Sequence, residues 1–361
     1  MKTLWKNSMR AAAIACLIPL TGGAQELPKT HLSVIGSQVN SPNWTNVLEP
    51  FWKQQIPEDS KQQITVEAVS MTDLGAKGPE LMRLAASGIA DIVAGSTTLI
   101  SGELPENDSI DIAGLAQDID TLRAVIDAYR PVLEERYRDK LGVVPLGFWP
   151  TGAQVLWCGT EIGGLDDLKG KKVRVFSTTT SALMSSLGAT PVTMAFNEVV
   201  PAMQRGVIDC AITGTNSGNN AKWTDVATHL FPITVGWGVN FVVANAEKWD
   251  ALDPAVQEFL STEIKTKLEP VGWDMARVAT DQGIWCSVGD DRCVPESTAP
   301  RNLTLAHLTL VELTPADQDR LKALVAEHVL PEFTAACSAD CVTKWNETVG
   351  QVVGIQLDPK E

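Results

Sequence analysis

The chain has 361 residues, 44 of them Asp or Glu against 29 Lys or Arg, for a formal net charge of −15, and 44% are hydrophobic. That length suffices for two domains at about 100–200 residues each. So acidic a surface repels phosphate backbones, which sets nucleic acid aside as a partner, and an anionic ligand must be met by a local positive group that overcomes the global field.

Lys2, Lys6 and Arg10 precede the apolar stretch AAAIACLIPL and the small residues TGGA. This is the pattern of a secretory signal peptide over residues 1–24, with cleavage expected after Ala24. Its apolar part is shorter than the roughly 20 residues that span a bilayer, and Cys16 lies inside that part rather than after it, which argues against lipidation. Cleavage removes three cations and no acid, leaving 29 − 3 = 26 basic residues against 44 acids and a net charge of −18. Six cysteines remain, an even number that in an exported chain points to disulfides. Cys286 with Cys293 and Cys337 with Cys341 are near enough to staple local loops, and Cys158 with Cys210 is the long-range candidate. No CxxC pair exists and the spacings are irregular, so no metal is expected.

In chain order, HLSVIGS from His31 reads as a strand, Trp44 to Gln55 as a helix, KQQITVEAVS as a second strand, and GPELMRLAASG as an amphipathic helix with Pro79 near its start and Gly88 at its end. IADIVAGS adds a strand, Asp120 to Lys140 a helix, and GVVPLGFW a strand that leaves the first lobe. KKVRVFS, TTSALMSSLGA, PVTMAF, NEVVPAMQRG and VIDCAITG then alternate strand and helix, which predicts a second lobe around a parallel sheet. VGWGVNFVVANAEKWDAL crosses back, and a long helical stretch begins near Asp253, a capping residue, and Pro254. Two crossings without a flexible linker predict lobes made of discontinuous sequence: 25–150 plus 241–282, and 151–240 plus 283–361.

Residues 164–214, GLDDLKGKKVRVFSTTTSALMSSLGATPVTMAFNEVVPAMQRGVIDCAITG, carry the most specific pattern. Asp167, Leu168, Lys169, Gly170, Lys172, Val173, Arg174 and Val175 form one block, and Leu187, Gly188, Ala189, Pro191, Val192, Glu198, Val199, Ala202, Gln204, Gly206 and Asp209 a second. Together they resemble the DctP-type solute-binding proteins of tripartite ATP-independent periplasmic (TRAP) transporters. The resemblance implies an α/β, two-lobed periplasmic binding protein fold with a ligand cleft between lobes and strand hinges. It also implies a periplasmic location, a small organic acid as ligand, delivery to the membrane permease subunits of an ion-gradient-driven transporter, and no enzyme activity. A ligand sensor or scaffold outside the cytoplasm, uncoupled from transport, is the alternative.

By motif position Arg174 is the residue that meets the ligand carboxylate, a role its planar fork suits through two charge-assisted hydrogen bonds. Gln154 lies in GAQVLWCGTEI, similar to a Gly-Ala-Gln stretch whose glutamine joins the arginine in family members that bind 2-oxo acids. Other members have a second arginine near this point, so one cation plus one amide points to a monocarboxylate. Past Asp209 the chain departs from the family pattern: Cys210 replaces a glycine, and Ile212 or Thr213 stands where glutamate or asparagine is common. Thr213, Asn216 and Asn219 are the polar candidates there. The 11 Trp against 2 Tyr supply apolar walls that strengthen a polar anchor by excluding water. Trp149 and Trp237 are expected at the cleft because they sit at the crossings, and Phe196 because it matches a position that packs near the ligand.

Enzyme chemistry finds no support. There is no GxSxG elbow, His31, His229, His307 and His328 are not paired at metal-ligand spacing, and GGLDDLKGKK misses the glycine spacing of a phosphate loop. No cofactor is expected.

Overall fold

The structure, a computed structural model, describes residues 26–39, 41–97, 100, 104–298 and 302–358; the expected leader lies outside the described residues. Eleven strands are found among the described residues. They are β1 (Thr30–Gly36), β2 (Ile64–Ser70), β3 (Ile92–Ser96), β4 (Val143–Pro150), β5 (Gln154–Cys158), β6 (Lys172–Val175), β7 (Thr190–Thr193), β8 (Cys210–Gly214), β9 (His229–Gly236), β10 (Val239–Asn245) and β11 (Thr309–Leu310). One sheet has the order β2-β1-β3-β10-β4 and the other β11-β9-β5-β8-β6-β7, with helices packed around both. Every residue of β10 is buried, as a strand covered on both faces should be.

The second sheet is mixed, which corrects the expectation of a parallel one. β6 runs parallel to β7 and β8, whereas β5 is antiparallel to both β8 and β9. The cause is how the chain enters and leaves the lobe. β4 continues into β5, and β9 into β10, with no crossover helix, and β4 and β10 are antiparallel partners in the first sheet. A single antiparallel ribbon therefore runs through both sheets, and its two bare stretches, Thr151–Ala153 and Trp237–Gly238, are the hinge.

The hinge is held by backbone hydrogen bonds from Thr151 N–H to the carbonyls of Trp237 and Gly238. Gly238 has φ +65°, the left-handed region that a side chain disfavours. The Asp111 carboxylate accepts from Trp237 N–H at 2.9 Å and Gly238 N–H at 2.8 Å. Burial pushes Asp111 up to about 7; the two N–H bonds oppose this, and the charge of Asp108 adds to it. Burial alone pushes Asp108 up to about 6. Acids raised above their ordinary value of 3.8 favour the folded state only while protonated. Their contribution is complete below about pH 4 and is lost as pH climbs through 6 to 7. The melting temperature is therefore expected to fall between pH 5 and pH 8, and less so in Asp108→Asn; an equal fall in the variant would refute this assignment.

A third connection is the helix Glu269–Val288. At one end Glu269 accepts from Phe148 N–H at 2.7 Å and pairs with Arg130 at 2.8 Å, while Gly272 admits the Trp149 indole. In its middle the Thr280 hydroxyl accepts from Ala153 N–H at 2.9 Å. Beyond that, Gly283 lies directly on the backbone of Thr215 and Asn216, and the Thr215 hydroxyl donates to the carbonyls of Ala279 and Thr280. One helix thus touches the first lobe, the hinge and the second lobe in turn. The disulfides join Cys158 to Cys210, Cys286 to Cys293 and Cys337 to Cys341. The first of these closes facing positions of β5 and β8.

Candidate functional site

Between the lobes lies a cavity of about 420 Å³, within the range of small-molecule sites. Gln38, Ser41 and Ser96 face it from the first lobe, Thr151 and Gly238 from the hinge, and Arg174 from the second lobe.

Arg174 is placed by strand alternation. Val173 and Val175 turn into the core at 0% and 1% exposure, so the residue between them turns the other way. β6 is flanked by β7 and β8, and Arg174 registers with Val192 and Ala211. The side chain is 6% exposed. Its Nε–H donates to the Met194 carbonyl at 3.2 Å and Nη1 to the Ile212 carbonyl at 2.8 Å, and the guanidinium stands over the Phe176 ring at 5.5 Å. Of the five N–H donors of a guanidinium, three are left. No Asp or Glu among the described residues pairs with it. Burial lowers it to about 10, so it keeps its charge at neutral pH. A buried cation without a counter-charge is costly, and an anion in the cavity relieves that cost.

Gln154 opens β5, facing Gly214 and Gly236. Its Nε2 donates to the Gly152 carbonyl at 3.1 Å. Thr213, on β8, shares the cavity. Phe196, 40% exposed, stacks on Trp223 at 5.2 Å, and Trp223 meets Trp157 edge-on at 6.2 Å, so an aromatic chain runs from the core to the cavity wall. The structure therefore brings Arg174, Gln154, Thr213 and Phe196 together.

It does not bring Trp149, Trp237 or Asn216 to that wall. Trp149 is fully buried and donates its indole N–H to Asn43 Oδ1 at 2.8 Å. Trp237 is 4% exposed and donates to the Ala116 carbonyl at 2.9 Å. Both lie at the crossings as expected, but the long helix and the 104–118 segment cover them. Asn216 packs its backbone against Gly283. Asn219 is taken up by Ser287 Oγ and the backbone of Thr304.

The helix Thr215–Asn220 turns a different face to the cavity: Ser217, Asn220 and Ala221, which stand at i, i+3 and i+4. Asn220 was missed by sequence reasoning. Both atoms of its carboxamide are sealed from solvent without a hydrogen-bond partner, a state that costs roughly 1–3 kcal/mol for each unsatisfied group. The signal that finds it is helical phase, which requires knowing that the helix starts at Thr215.

What the lobes enclose is a pocket with one unmet cation, and the class so defined is that of two-lobed solute-binding proteins. Residues 37–275 match the profile of the bacterial extracellular solute-binding protein family 7, DctP, and the chain belongs to that family. The C4-dicarboxylate-binding periplasmic protein DctP of Rhodobacter capsulatus is 24% identical over 211 residues, 58% of this chain and 58% of that protein. Two solved structures have the same fold. The extracytoplasmic solute receptor of Bordetella pertussis binding pyroglutamic acid has a TM-score of 0.71 at 22% identity, over 88% of this chain and 98% of that one. A TRAP periplasmic solute-binding protein from Sulfitobacter sp. NAS-14.1 with bound β-D-galacturonate has a TM-score of 0.71 at 17% identity, over 89% and 99%. The family is one of transport solute-binding proteins rather than of enzymes. No described helix is long and apolar enough to cross a membrane.

Proposed function

We propose that this protein captures a small organic acid in the periplasm, anchors its carboxylate on Arg174 with Gln154 beside it, and hands it to the permease subunits of an ion-gradient-driven TRAP transporter. The observation that carries this reading is the buried guanidinium that faces an inter-lobe cavity with no acidic residue among its described lining residues. The relatives agree in chemistry: their ligands are C4-dicarboxylates, pyroglutamic acid and galacturonate.

Closure follows from differential contact. A ligand whose carboxylate is bound to the second lobe reaches Gln38, Ser41 and Ser96 of the first lobe only when the lobes approach, so ligand favours the closed state. The closed shape is then what a permease would recognise.

The test is a thermal-shift screen of purified protein against organic acids, sugar acids, neutral sugars and amino acids. A ligand at ~100 times its dissociation constant contributes ~2.7 kcal/mol of stability. Shifts confined to carboxylates and lost in Arg174→Ala are expected. Shifts from neutral sugars alone would sink the carboxylate mechanism.

A further inference from the structure

We infer that Phe176 is a positioning residue for the anchor: its ring is the partition that keeps one face of the Arg174 guanidinium dry and shuts the ligand cleft off from a separate, open groove on the second lobe. This rests on the carboxylate reading of Arg174 and adds the residue that sets how strong that anchor is.

Phe176 is held from both sides. It leaves β6 directly after Val175, which is buried. It precedes Ser177, whose hydroxyl caps the helix Thr178–Ser186 by accepting from Thr180 N–H at 3.2 Å. Its backbone is thus fixed by a strand before it and a capped helix after it, and the residue is half-buried.

Three voids meet at that ring. One is the inter-lobe cavity that Arg174 faces. The second is a groove of about 890 Å³, between the helix Thr178–Ser186 and the helical stretch 325–336. It is open to solvent, since Thr178, Ser185, His328 and Glu332 of its lining are exposed. The third is the small void lined by Asp108 and Asp111. Phe176 is the one described residue that lines all three.

The guanidinium stands 5.5 Å from the centre of the ring. Its Nε–H is given to the Met194 carbonyl and its Nη1 to the Ile212 carbonyl, so the face against the ring is where groove water would enter if the ring were missing. A cation over an aromatic face gains most when it is desolvated, and a charge pair weakens as the dielectric around it rises. The ring therefore holds the cation in place and keeps water off it. It also stands between the cation and the two acids: burial alone raises Asp108 and burial alone lowers Arg174, which leaves the anchor's charge to the ligand.

The test uses the whole protein, with acetate as the simplest carboxylate. By heteronuclear NMR the Arg174 Nε–H is expected to exchange with water about tenfold faster or more in Phe176→Ala than in wild type, as a local opening would allow. Arg130, which stands over Phe148 at 5.4 Å and pairs with Glu269, is expected not to change and serves as the internal reference. Acetate affinity is expected to fall about tenfold in Phe176→Ala. It should fall further as ionic strength is raised, whereas wild type should respond much less, because buried pairs are screened little. Phe176→Leu keeps an apolar plug without a π face, and is expected to keep the slow exchange and the weak salt response while losing only a few-fold in affinity. Exchange and affinity both unchanged in Phe176→Ala would overturn the inference. So would an affinity loss with neither faster exchange nor a stronger salt response, which would mean that the ring only packs the start of the helix. Acetate binding that is indifferent to Arg174→Ala would remove the carboxylate anchor, whereas the exchange rates report on the partition without any ligand, so the two failures are told apart. Circular dichroism of each variant separates lost binding from lost fold.

Discussion

Arg174→Ala is expected to weaken carboxylate binding roughly thirty-fold to several-thousand-fold, because removing one partner of a buried, hydrogen-bonded charge pair costs ~2–5 kcal/mol and each ~1.4 kcal/mol is tenfold. The loss has two parts. The ligand's carboxylate enters a cavity with no other cation among its described lining residues, so it gives up water for neutral dipoles. The Met194 carbonyl, just past β7, and the Ile212 carbonyl, within β8, also lose the donors that orient them. Arg174→Lys separates charge from geometry. It keeps the cation, but a single ammonium cannot serve two backbone carbonyls and both oxygens of a carboxylate in one plane. An affinity for lysine within a few-fold of wild type would mean that charge alone holds the ligand. An unchanged affinity in a folded Arg174→Ala protein would remove Arg174 from the site.

Gly283→Ala is expected to destabilise the protein by about 3 kcal/mol, the upper end of overpacking costs, and to lower the melting temperature by roughly 4 °C. Two effects compete. Alanine in a helix interior is favoured over glycine by ~1 kcal/mol, and Gly283 is an interior residue of the helix Glu269–Val288. Against this, its Cβ would overlap the backbone of Thr215 and Asn216, and backbone cannot swing aside as a side chain can. Steric overlap therefore wins. Because the displaced backbone belongs to the helix that carries Ser217 at the cavity wall, ligand affinity should fall with stability. Differential scanning calorimetry with and without ligand measures both; an unchanged or raised melting temperature would show that the two helices have room to separate.

How much of this could be read from residues depends on the distance over which each feature is decided. The block around Arg174 is local: Val-Arg-Val on a short strand places the cation and its face at once, and the structure has it there. The pairing of Cys158 with Cys210 was also legible, because the strands that hold them bracket one alternating stretch. Trp149 and Trp237 show the opposite. Their positions at the crossings were correct, yet what covers them, Gly272 of the long helix for one and the Ala116 carbonyl for the other, lies more than a hundred residues away in sequence. Burial is set by partners that periodicity does not name. The antiparallel entry of β5 and exit of β9 escaped for a similar reason. A buried strand reads alike in either direction, and only the absence of a crossover helix betrays which way it runs. Asn220 fell between these cases, since its neighbours in a run of polar residues look equivalent until the helix's starting point fixes which of them turn inward.

The place of β10 in the first sheet also governs the order in which the molecule can be made. β10 lies between β3 and β4, yet it is synthesised after five strands of the other lobe. Until residue 245 has emerged, the first sheet consists of separate pieces with open apolar edges, and the second is tied to it by an unfinished ribbon. Neither lobe can close on its own from a nascent chain, and pairing across such long stretches of sequence is slow. The consequence is a built-in delay: the first sheet can be completed only once most of the chain is available. It also exposes hydrophobic strand edges for that whole interval, so the burden of keeping copies apart falls on the acidic surface and on holding factors rather than on early local structure.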